Sequence, residues 1–91
     1  MIDSSSVIST SAQIHKSVKI GPYCIIDENV IIDEGTELIS HVHISGHTSI
    51  GVNNKFYPFS TIGMSPQDKK YMGEKSELVI GDNNIFKFKK I

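Results

Sequence analysis

The apolar positions of this chain recur at every sixth residue. Ile2, Ile8, Ile14, Ile20, Ile26, Ile32, Leu38, Ile44, Ile50, Phe56 and Ile62 stand six apart, without a slip, across eleven hexads. An α-helix repeats about every 3.6 residues and a plain strand every two, so neither accounts for this beat. The fourth residue after each marker is also restricted, and mostly small or β-branched: Ser6, Ala12, Val18, Cys24, Val30, Thr36, Val42, Thr48, Asn54 and Ser60. Gly or Asp often follows the marker, as at Gly21, Asp27, Asp33 and Gly51.

This pattern predicts an all-β fold, a left-handed parallel β-helix of hexapeptide repeats. Each hexad supplies one short strand and one bend, and three hexads close a turn of a triangular prism. The markers point inward, so residues eighteen apart stack. Ile2, Ile20, Leu38 and Phe56 form one ladder and Ile8, Ile26, Ile44 and Ile62 another. The small fourth residue fits beside the marker in the narrow interior, and Gly, Asp and Asn mark the bends. The hand is an exception to the usual right-handed crossover. Each coil buries its faces only against its neighbours, so stability adds nearly coil by coil and the end coils need protection. Almost all the marker isoleucines are core residues on this reading, and Cys24 is an inert buried thiol.

The beat stops after Ile62-Gly63 and resumes at Ile80-Gly81-Asp82-Asn83-Asn84, eighteen residues on and a whole number of hexads. Asp68 and Glu74 stand where markers would fall, and a carboxylate does not point into such a core without a partner. Residues 64–78 are therefore expected to form one external loop that leaves the coil and rejoins it. Loops carried on a rigid scaffold are where binding residues collect. The chain divides into hexads over 2–67, the loop at 64–78 and a resumed coil over 80–91. Near its end Lys90 falls at an inward small position and breaks the rule of the repeat.

Composition narrows the function. Isoleucine fills 15 of 91 positions and leucine two, a β-favouring bias. Nine lysines without arginine face ten acids, and a net charge of -1 argues against a nucleic-acid module. Cys24 is the single cysteine, which excludes a disulfide framework and a multi-cysteine zinc site. No apolar run approaches the roughly 20 residues that span a bilayer. The start, Met1-Ile2-Asp3-Ser4, lacks the basic and apolar regions of a signal peptide, so the expected compartment is the cytoplasm. His41-Val42-His43 could set two imidazoles on one strand face, but no further ligand stands at a useful spacing, and no metal or cofactor is expected.

Several segments together resemble one family. They are Met1-Ile2-Asp3, Ile20-Gly21-Pro22-Tyr23-Cys24-Ile25, Ser40-His41-Val42-His43-Ile44-Ser45-Gly46-His47-Thr48, and Ser60-Thr61-Ile62-Gly63 followed by Pro66-Gln67-Asp68-Lys69-Lys70-Tyr71-Met72-Gly73-Glu74. The family is the acyl-[acyl-carrier-protein]–UDP-N-acetylglucosamine O-acyltransferases of lipid A biosynthesis. The hexads are shared by many acyltransferases, whereas the segment from Ile62 to Glu74 is much more specific. The resemblance implies a cytoplasmic homotrimer with active sites in clefts between subunits. There a 3-hydroxyacyl chain passes from acyl carrier protein to the 3-hydroxyl of UDP-N-acetylglucosamine.

By the same resemblance Gln67, Asp68 and Lys70 line the cleft, while His41 and His47 fall near the trimer scaffold and His43 at a variable outward position. The family's general-base histidine and its helical C-terminal domain lie beyond position 91. The resemblance thus implies an N-terminal fragment of the acyltransferase with no catalytic residue of its own. Two other readings stand beside it: a non-catalytic trimerisation fragment, and another hexapeptide-repeat acyltransferase.

Overall fold

Twelve strands of two or three residues follow one another around a prism in a computed structural model that describes residues 1–63 and 77–87. They are β1 (Val7–Ile8), β2 (Gln13–Ile14), β3 (Lys19–Ile20), β4 (Ile25–Ile26), β5 (Val30–Ile32) and β6 (Glu37–Leu38). β7 (His43–Ile44), β8 (Thr48–Ile50), β9 (Lys55–Phe56), β10 (Thr61–Ile62), β11 (Leu78–Ile80) and β12 (Ile85–Phe86) complete the set. Every third strand shares a sheet, and all pairings are parallel. The three sides are β1-β4-β7-β10, β2-β5-β8-β11 and β3-β6-β9-β12. This is the left-handed parallel β-helix that the hexads predict.

Strands this short cannot hold themselves, and their backbone groups pair with the next coil. Val7 N–H donates to the Cys24 carbonyl at 2.9 Å, Ile25 N–H to Val42 at 2.9 Å and His43 N–H to Ser60 at 3.0 Å. Register follows the markers: Ile8 pairs with Ile26, Ile26 with Ile44, and Ile44 with Ile62. The interior is a column of Ile20, Ile26, Ile32, Leu38, Ile44, Ile50 and Phe56 with Val18, Cys24, Val30 and Val42 between them, all buried. Ile8, Ile14, Ile62, Ile80 and Phe86 at the two ends of the stack are only partly buried.

The corners repeat as strictly as the core. Tyr23, Asn29, Gly35, His41, His47, Asn53, Phe59 and Asn83 all have positive φ, three residues after a marker. The first corner holds residues 21–24, 39–42 and 57–60, the second 27–30 and 45–48, and the third 33–36, 51–54 and 81–84. The first coil turns by another device. There the side chain one residue after the marker accepts the N–H two residues on: Asp3 from Ser5, Ser9 from Ser11, and His15 from Ser17. The Ser5 backbone and hydroxyl bonds hold the Asp3 carboxyl below its usual range. Gly21 is required for closeness of coils, since a Cβ there would run into the Ile39 carbonyl oxygen.

Two of the buried polar side chains, Thr36 and Asn54, stitch coils together. At the third corner the buried Thr36 hydroxyl donates to the Gly51 carbonyl at 2.9 Å and accepts Asn54 N–H at 3.2 Å. One coil on, Asn54 Nδ2 donates to the Gly81 carbonyl at 2.7 Å and its Oδ1 accepts Asn84 N–H at 2.9 Å.

The registers of β11 and β12 differ from the simple eighteen-residue rule, and Phe86 pairs with Phe56, thirty residues back. Ile80 pairs with Ile50, not with Ile62, so thirty residues separate these partners. After β10 the chain must continue to the next side, where the vacant place lies over β8. The interval from 62 to 80 therefore advances the coil by one side, a six-residue step, and the other twelve residues are an insertion.

Cys24 lies wholly inside, with Sγ 3.8 Å from the Pro22 carbonyl, and desolvation raises its thiol above the usual value. The folded chain is therefore expected to resist alkylation by iodoacetamide at neutral pH, and denaturant should restore full labelling. Rapid labelling of the native protein, followed by mass, would contradict the buried placement.

Candidate functional site

The insertion begins and ends at the second corner. Gly63 adopts φ +75°, off the six-residue beat of the other corner residues, and the coil departs there. A Cβ at Gly63 would meet the Thr48 hydroxyl and the Ser45 carbonyl oxygen. That hydroxyl is itself fixed, donating to the Ser45 carbonyl at 2.7 Å. On the return, Leu78 N–H donates to the His47 carbonyl at 3.0 Å. Both limbs are thus tied to residues 45–48, on a corner whose own backbone is locked by strands β7 and β8.

Beside the returning limb lies a shallow groove of about 230 Å³ lined by Ser11, Gln13, Asn29, Ile31, His47, Ser49 and Glu77. Its walls are two ladders of residues eighteen apart, hydroxyl, amide and imidazole groups around one isoleucine. Gln67, Asp68 and Lys70, the residues that the motif singles out for binding, lie outside the described residues, as does Lys90.

The histidines separate rather than cluster. His41 is not on a strand; it turns the first corner with its ring 5.2 Å from Tyr23 and 5.1 Å from Phe59, centroid to centroid. His43 is on β7, with Nε2 2.9 Å from Asp27 Oδ2. The expectation that both imidazoles share a strand face is corrected by the left-handed backbone at His41, which swings that side chain to the corner. His15 Nδ1 lies 2.7 Å from the Ser17 hydroxyl. Among the described residues no group of three or more His, Cys, Asp or Glu is arranged to hold a metal. The Asp27–His43 pair has a signal in the sequence once the turn length is known: sixteen apart is two short of a full turn, which places them on adjacent coils.

The third side carries alternating charge. Lys19, Glu37 and Lys55 point outward one above another, with Lys55 Nζ 4.0 Å from Glu37 Oε1. Such an exposed pair contributes little to stability. Lys55 and Lys87 place their ammonium groups 5.5 and 5.2 Å from the Tyr57 ring centre.

A triangular coil of hexads with one insertion at a corner defines a hexapeptide-repeat β-helix protein. No protein-family model matches the chain. The acyl-[acyl-carrier-protein]–UDP-N-acetylglucosamine O-acyltransferase of Thermodesulfovibrio yellowstonii is 52% identical over 86 residues, 94% of this chain and 33% of that protein. The enzyme of the same name from Psychrobacter sp. is 47% identical over 83 residues, 91% of this chain and 32% of that protein. Among solved structures, a UDP-N-acetylglucosamine acyltransferase superposes with a TM-score of 0.90 at 44% identity, covering 94% of this chain and 33% of that one. The Moraxella catarrhalis RH4 UDP-N-acetylglucosamine O-acyltransferase gives 0.88 at 48%, over 93% of this chain and 33% of that one. By sequence and by fold alike the chain matches the acyl-[acyl-carrier-protein]–UDP-N-acetylglucosamine O-acyltransferases, as its motifs imply. It spans about a third of the length of the curated relatives it matches.

Proposed function

We propose that this chain supplies the N-terminal β-helical part of an acyltransferase of lipid A biosynthesis. The reaction moves a 3-hydroxyacyl group from acyl carrier protein to the 3-hydroxyl of UDP-N-acetylglucosamine. The observation that carries this reading is the 52% identity to a relative of that name, joined to a TM-score of 0.90 with a solved acyltransferase.

In this reading the coil is the rigid mount and the insertion at residues 64–76 is the working part. Lys70 meets the diphosphate as a point charge, and Gln67 and Asp68 hold sugar hydroxyls. Attack of the sugar oxygen on the thioester carbonyl forms the ester and releases the carrier thiol. The hydroxyl proton must pass to a positioned base. By the family pattern that base is a histidine beyond position 91, so the 91-residue chain on its own turns over no substrate. It works as scaffold and binding wall in a cytoplasmic homotrimer. No helix among the described residues is long and apolar enough to cross a membrane.

The test uses the purified chain with acyl-loaded carrier protein and UDP-N-acetylglucosamine. We expect no acyl transfer, together with calorimetric binding of UDP-N-acetylglucosamine that Gln67→Ala, Asp68→Ala and Lys70→Ala jointly abolish. Turnover by the chain alone would overturn the inactivity. Absence of binding, or binding unchanged in the triple variant, would overturn the site.

A further inference from the structure

The outward positions of the third side follow a charge rule that fails on the last described coil. Lys19, Glu37 and Lys55 alternate in sign along the stack, and Glu37 lies between the two lysines. The next rung of that row is Ile85, 64% exposed, where a carboxylate would have continued the alternation. The neighbouring row, one residue beyond the inward markers, runs Asp3, Gly21, Ile39, Tyr57 and Lys87. Its last step is fixed by Tyr57 N–H, which donates to the Phe86 carbonyl at 2.8 Å and sets Lys87 one coil beyond the phenol.

The two rows therefore end in gathered positive charge. Lys55 Nζ is 5.5 Å and Lys87 Nζ 5.2 Å from the centre of the Tyr57 ring. The ring face attracts each ammonium, but it holds no net charge to cancel the pair. Among the described residues Glu37, 4.0 Å from Lys55, is the one carboxylate paired with either lysine. Glu37 also neighbours Lys19 in register, so it is shared. Asp3 stands three coils before Tyr57, about 14 Å away at the usual strand spacing, and accepts from Ser5. Asp33, Glu34 and Asp82 stand at the other end of this side, on the third corner. In a chain of net charge -1 this local excess of cations is left for an anion to balance.

We propose that Lys55, Tyr57 and Lys87 form a binding site for a phosphate monoester. Two ammonium groups match the charge of about -1.5 to -2 that such a group carries at neutral pH. Each lysine donates charge-assisted N–H bonds to phosphate oxygens, and the Tyr57 phenol supplies an O–H donor. A carboxylate, with a single charge, leaves the second lysine unmatched. Ligand access is open, since the Lys55 side chain is 43% exposed and Lys87 is exposed. The site lies where the third side meets the first corner, whereas the insertion leaves from the second corner at Gly63. It is therefore separate from Gln67, Asp68 and Lys70, and it does not rest on the acyltransferase reading.

The test is a titration of the purified chain with glycerol 3-phosphate, followed by NMR of backbone amides and lysine side chains. At about pH 8 the monoester is dianionic, because its second pKa is about 6. We expect saturable shifts at Lys55, Tyr57 and Lys87, and binding of acetate weaker by about tenfold or more at equal ionic strength. Lys87→Gln should weaken the monoester by about tenfold, whereas Lys19→Gln, on the same side but beside Glu37, should leave it within about twofold. Both exposed substitutions should leave the thermal midpoint unchanged. Shifts that never saturate, acetate binding as tightly as the monoester, or unchanged binding in Lys87→Gln would overturn the proposal. Equal losses in the two variants would reduce the effect to a general attraction of this side and overturn it as well. Binding to phosphatidic acid vesicles without binding of the soluble monoester would overturn it in favour of a membrane surface. Neither carrier protein nor sugar nucleotide is present, so this result and that of the acyltransferase reading fail separately.

Discussion

Phe56→Ala is expected to lower the unfolding free energy by about 3–5 kcal/mol, the usual range for deleting a buried phenyl ring. The ring is 0% exposed and lies 4.6 Å from the Phe86 ring at an interplanar angle of 9°. It is also the largest side chain in the column, where a gap has no flexible neighbour to collapse into it. A domain of this size has a total stability of only about 5–14 kcal/mol, so the variant would lose a large share of it. Urea unfolding followed by circular dichroism reads the loss. A drop below about 1 kcal/mol would show that the ring does not carry the coil. Ile8→Ala, at the half-buried end of the stack, should cost clearly less.

The second large effect is expected at Asn54. Leucine has nearly its shape but cannot hydrogen bond, so Asn54→Leu leaves the Gly81 carbonyl and the Asn84 N–H without their partner. Two orphaned polar groups cost roughly 1–3 kcal/mol each, partly offset by the added apolar contact. Because each coil contacts only its neighbours, the damage should stay local. Amide exchange at residues 81–86 should accelerate by one to three powers of ten, as a loss of about 1.4 kcal/mol per tenfold implies. The amides of Ile20, Ile26 and Leu38 should remain protected. Uniform acceleration throughout the chain would instead mean that the stack unfolds as one unit and that Asn54 is no local stitch.

The unequal reach of these two variants reflects how the chain encodes its structure. The inward positions were legible because a marker that must fit a narrow prism admits few side chains, and any slip would turn every isoleucine outward. Asn54 was legible as an inward position too, but its purpose was not. A polar group in a core reads as an anomaly until its partners at Gly81 and Asn84, on the far side of the insertion, are seen. His41 was misplaced for a related reason: spacing along a strand says nothing about a left-handed corner, which swings the imidazole between Tyr23 and Phe59.

Of the proposed site, sequence supplied the candidates and structure the mount. Gln67, Asp68 and Lys70 stand out by motif, and they lie outside the described residues. The described residues add the second corner, where Gly63 packs on Thr48 and Ser45 and Leu78 returns to His47. No periodicity points to that corner, because Ser45, His47 and Thr48 belong to an unbroken stretch of the repeat and are chosen only by what the next coil lays over them.

The sequence by itself determined the coil. Its six-residue beat sets which side chains face inward, and burial of apolar surface then admits one register for every strand up to β10. Only the tertiary structure decided how the coil resumes. Both Ile62 and Ile50 are inward isoleucines that Ile80 could match in kind, and an eighteen-residue interval favours Ile62. The outcome is Ile50, because the chain leaving β10 must reach the adjoining side, where the open backbone edge of β8 waits for a partner. Composition cannot express that choice, since it depends on which edge is unpaired when the chain returns.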